Sequence, residues 1–67
     1  MMSDLFRTFL NAVSLRGGYC LNCLSEIYGE PEKAVTRYLN EIQVSGRLGT
    51  CTNCDEEGET FRSDLSS

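Results

Sequence analysis

Histidine and tryptophan are absent from this 67-residue chain, and proline occurs once. Without His there is no imidazole to serve as a general base near neutral pH or to ligate a metal. Lys and Arg number 6 against 10 Asp and Glu, a formal net charge of −4. That balance gives no global attraction for a polyphosphate and excludes a basic, sequence-blind nucleic-acid coat protein. No apolar run approaches the ~20 residues of a membrane span, so no membrane partner is expected. The opening Met1-Met2-Ser3-Asp4-Leu5 lacks the basic start and apolar stretch of a signal peptide, which makes a cytoplasmic location the default expectation. Nor is there a Gly-rich phosphate loop or a nucleophile–base pair, and an enzyme is not expected.

Length allows one domain. A chain this short buries only about 60% of its unfolded surface. Chains below roughly 70–80 residues commonly carry a disulfide, a metal or a partner subunit as a staple. Here the staple is four cysteines.

They fall as Cys20-Leu21-Asn22-Cys23 and Cys51-Thr52-Asn53-Cys54, two CxxC pairs separated by residues 24–50. A CxxC turn aims both sulfurs at one ion, and a second pair completes a closed tetrahedral thiolate site. Two disulfides would need an oxidising compartment, and nothing marks export. A redox CxxC needs an α/β setting that this length does not provide. Iron is the metal rival, since the rubredoxin family places two CxxC pairs almost this far apart. Its turns run CxxCG and CPxCG, however, whereas Leu24 and Asp55 follow the pairs here. Zinc is therefore expected ahead of iron. Four thiolates around one divalent ion contribute −2, taking the formal charge from −4 to −6.

Residues 3–16 read as a helix, with Ser3 as N-cap, Asp4 at the positive end of the dipole, and Leu5, Phe6, Phe9, Leu10 and Val13 as its apolar stripe. Gly17-Gly18 ends it. Residues 19–28 read as a second helix, with Leu21, Leu24, Ile27 and Tyr28 apolar and Cys20 and Cys23 at its start. Gly29-Glu30-Pro31 breaks the run. Residues 31–45 read as a third helix. Pro31 sits in its first turn, Val35, Tyr38, Leu39 and Ile42 form the buried stripe, and Gly46 is the terminating residue. Beyond it, residues 47–51 and 59–62 read as a hairpin around a turn-rich tip, and residues 63–67 as a flexible tail to a domain of residues 1–62.

A helix-turn-helix wants a small residue in its first helix, Gly at the turn and an apolar residue in the second helix. Ser25, Gly29 and Val35 occupy those places, with Leu24, Tyr28 and Tyr38 flanking them. Glu30 departs from the pattern, because an apolar residue is usual just after the turn Gly. The chain thus resembles the small winged helix-turn-helix family, in a zinc-bearing form with one CxxC at the start of helix two and one in the wing. The resemblance spans residues 4–62. It implies a mainly α fold with a β-hairpin wing, stapled by a Zn(Cys)₄ site, and helix three as a recognition helix.

The residues so implied to face a major groove are Lys33, Thr36, Arg37 and Asn40, with Arg37 matched to guanine and Asn40 to adenine. Arg47 and Arg62, at the wing base, are implied phosphate contacts. Glu41 follows Arg37 by four positions and can neutralise it within the helix. Asp55, Glu56, Glu57 and Glu59 crowd the wing tip. An acidic wing repels a duplex and suits a basic protein partner instead. Two functions are therefore expected to compete: a DNA-binding, transcription-regulator-like domain, and a protein-interaction module on the same scaffold.

Overall fold

The computed structural model describes residues 2–63, with side chains from Asp4 onward; the tail positions 64–67 lie outside the described residues. The chain runs α1 (Met2–Val13), β1 (Tyr19–Cys20), α2 (Leu21–Tyr28), α3 (Glu32–Glu41), β2 (Arg47–Thr50) and β3 (Glu57–Phe61). Its three strands form one antiparallel sheet in the order β1-β3-β2. Among the described residues no helix is long and apolar enough to cross a membrane.

The helices bury the stripes their sequences carry. Phe6 and Leu10 of α1, Leu24 of α2, and Val35 and Leu39 of α3 are essentially solvent-free. Phe6 is the hub. Its ring meets Tyr28 edge-on at 5.1 Å and Tyr38 at 5.4 Å, so one aromatic cluster joins all three helices. The stripes are narrower than periodicity alone implies. Leu5 and Ile27 are exposed, because each lies at the margin of its helix's buried face.

Element boundaries differ from expectation at several points. α1 begins at Met2, so Ser3 lies inside its first turn rather than capping it. α1 also stops at Val13. Ser14 still donates to the Leu10 carbonyl, but Arg16 and Gly17 close a turn onto Val13 and Ser14. Gly17 then takes φ 137°, a conformation glycine adopts without a Cβ penalty.

Tyr19 and Cys20 are a strand, not the opening of helix two. Cys20 is extended (φ −73°, ψ 162°), and Tyr19 pairs with Phe61. Both Tyr19 and Phe61 are buried, and that shared burial outweighs a first helical turn.

α3 ends at Glu41, short of residue 45. Gln43 adopts the left-handed φ of 60°. Its N–H bonds the Asn40 carbonyl, and the Val44 N–H bonds the Leu39 carbonyl at 3.0 Å. This is a Schellman closure with Gln, not Gly46, as the terminating residue. Gly46 has another task, since a side chain there would collide with Glu59. Glu30, the irregular position of the helix-turn-helix pattern, is also accounted for. Its N–H and its carbonyl both bond Ser25, the first to the carbonyl and the second to the hydroxyl.

β2 ends at Thr50, short of Cys51, while β3 runs Glu57–Phe61, starting nearer the tip than expected and stopping before Arg62. Ser63 belongs to the folded body: its N–H donates to the Ser14 hydroxyl at 2.7 Å.

Candidate metal centre

The two CxxC pairs arrive from opposite ends of the sheet's connectivity. Cys20 ends β1 and stands at the N-cap of α2, and Cys23 lies in that helix's first turn. Cys51 directly follows β2, and Cys54 closes the next turn, where the Asp55 N–H bonds the Cys51 carbonyl at 2.9 Å. Asp55 itself holds φ 62°. Asp tolerates the left-handed region better than most residues, which lets this turn form without the glycine usual after such a pair. Two bonds bring the segments together. The Thr52 N–H donates to the Gly18 carbonyl at 2.9 Å, and the Cys20 N–H donates to the Cys51 sulfur at 3.3 Å.

All four sulfurs lie within 4.8 Å of one another, close enough to hold a metal ion. The Cys20 and Cys54 sulfurs are 3.8 Å apart. A tetrahedron with metal–sulfur bonds of about 2.3 Å has edges of about 3.8 Å, so the donor set fits such an ion. Four protein donors would leave a tetrahedral ion no open position for water or substrate. Cys23 and Cys51 are buried, Cys20 is half-buried and Cys54 is exposed, so the cluster runs from the core to the surface.

The surroundings treat the thiols unequally. At Cys51, burial acts to raise the pKa, but N–H groups of Cys20, Cys54 and Asn53 outweigh it and bring the thiol down to about 6. At Cys23, the Asn53 amide acts to lower the pKa. Burial and the Cys20, Cys51 and Cys54 thiols together overcome it and push Cys23 up to about 12. Asn53 donates to the Cys23 sulfur at 3.3 Å. This contact was not anticipated from the sequence, although an Asn precedes the second Cys in both pairs.

The remaining candidates divide into three groups. Lys33, Thr36, Arg37 and Asn40 are all exposed on α3, at the i, i+3, i+4, i+7 spacing of a single helix face. Arg47 and Arg62 are exposed elsewhere, together lining a cleft on the sheet that none of those four residues lines. Asp55, Glu56, Glu57 and Glu59 are exposed at the hairpin tip and along β3. No family model, curated protein or solved structure matches the chain.

Proposed function

We propose that this chain is a zinc-stapled winged-helix domain that docks α3 on double-stranded DNA. The carrying observation is the exposed face of Lys33, Thr36, Arg37 and Asn40, which projects from the helix that follows the Gly29 turn. The order of three helices and then a hairpin supports the winged-helix reading. The all-thiolate donor set supports zinc, and the closed geometry gives the ion a structural rather than a catalytic role. It would clamp the hairpin to the start of α2.

The test is binding of the zinc-loaded chain to a pool of duplex DNA at ~50 mM salt, where electrostatic contacts are least screened. Arg37→Ala is expected to weaken binding by about 1–3 kcal/mol and to flatten its salt dependence. Absence of any duplex binding under these conditions would refute the DNA reading.

One observation favours the protein-interaction alternative. Leu48 is 91% exposed on the hairpin, paired directly with Glu59. An apolar side chain flanked by acids suits a basic protein partner with an apolar contact point. Capture of such a partner that is lost in Leu48→Ser, together with no affinity for duplex DNA, would establish this reading over the first.

A further inference from the structure

The two faces of the sheet differ in charge. Side chains alternate along a strand, so the buried, paired Tyr19 and Phe61 fix which face turns inward. On β3 the same parity runs through Glu59 and Glu57. The opposite parity carries Thr60 and, just past the strand, Arg62. Arg47 of β2 stands directly across from Thr60. Pleating therefore sorts charge on this ribbon, with the β3 acids on one face and both arginines on the other.

A cleft of about 1150 Å³ opens over the arginine-bearing face. Arg47 and Arg62 line it, and no Asp or Glu is among its described lining residues. In a chain with 10 acids and 6 bases, a cleft whose described lining holds two arginines and no acid is a marked local reversal of charge. Both arginine-bearing segments are anchored. The Thr60 hydroxyl donates to the Arg47 carbonyl at 3.2 Å, and Ser63, beside Arg62, is tied to the buried Ser14.

We propose that this cleft binds the phosphoryl group of a phosphate ester through Arg47 and Arg62. Two arginines that line one cleft match the oxygens of a phosphate, and no Asp or Glu is among the described residues lining it. A phosphorylated small molecule and a nucleic-acid backbone present the same group. The site is distinct from the α3 face and does not depend on it.

The test is amide-resolved NMR titration of the metal-loaded full chain with inorganic phosphate, at an ionic strength held constant with chloride. Saturable shifts are expected at Gly18, Gly49, Thr60 and Ser63. The Arg47→Gln/Arg62→Gln double variant should bind about tenfold more weakly or worse. Both side chains are exposed, so the variant should retain its fold, which its amide spectrum checks. The double Lys variant should keep part of the affinity. Shifts that fail to saturate, or that survive the double Gln substitution, overturn the proposal. Titrations with adenosine monophosphate and with a short oligonucleotide then distinguish the two sources, through whichever binds more tightly than inorganic phosphate. Weaker binding of both overturns the ester assignment. Arg37→Ala should leave the phosphate shifts unchanged, so failure of DNA docking by α3 and failure of this site are read separately.

Discussion

Cys51 is the sulfur that the fold surrounds most completely, fully buried and hydrogen-bonded by the Cys20 N–H. Asn53 does the same for Cys23 from across the site. Groups of this kind orient metal ligands and offset thiolate charge, and losing one costs metal affinity without removing a ligand. Asn53→Ala is therefore expected to weaken metal binding roughly 10–100-fold while keeping one equivalent per chain. Competition against a chelator of known affinity measures this, and an unchanged affinity would mean that the amide is a spectator. The four clustered cysteines were legible in the sequence as candidate ligands because CxxC is a local pattern. Their hydrogen-bond donors were not, because Asn53 and Cys23 stand 30 residues apart and only the assembled fold makes them neighbours.

At the scale of elements, the three helices and the hairpin were legible from apolar spacing, and their ends were not. The strand Tyr19–Cys20 is too short to show a period, and it exists because Phe61 offers a buried partner. The end of α3 was misplaced because Gly46 looks like a helix terminator while Gln43 does not. Val44 must turn back toward Leu39, and the residue before it has to take the left-handed conformation whatever its identity. That mismatch yields a prediction. Gln43→Gly removes the steric cost of φ 60° at an exposed side chain, and should raise stability by about 0.5–1 kcal/mol. The gain is partly offset by glycine's greater freedom in the unfolded chain. Thermal unfolding of the metal-loaded pair of proteins measures it, and a lower midpoint for the glycine variant would contradict the cap assignment.

For the whole molecule, the question is what holds so small a core. The buried apolar set includes Cys23 and Cys51 beside Phe6, Leu10, Leu24, Val35, Leu39, Tyr19 and Phe61. Two of the four candidate ligands are thus core residues, and the core and the cysteine cluster are one structure. A core of this size rarely supplies more than about 3–5 kcal/mol, against apparent binding energies of about 10–16 kcal/mol for structural zinc. Bringing four sulfurs within 4.8 Å without a cation would concentrate thiols that the protein's own groups drive to opposite extremes, about 6 at Cys51 and about 12 at Cys23. A divalent ion resolves that conflict by favouring all four thiolates together. Protein purified without added metal should therefore carry one equivalent of zinc. Chelation under reducing conditions should unfold the hairpin and the helices in one transition, and Cys23→Ser should reproduce that state. Elemental analysis and circular dichroism decide the matter. An iron-rich sample would change the ion, and an apo chain with an unchanged spectrum and melting midpoint would show that the helical core stands without its staple.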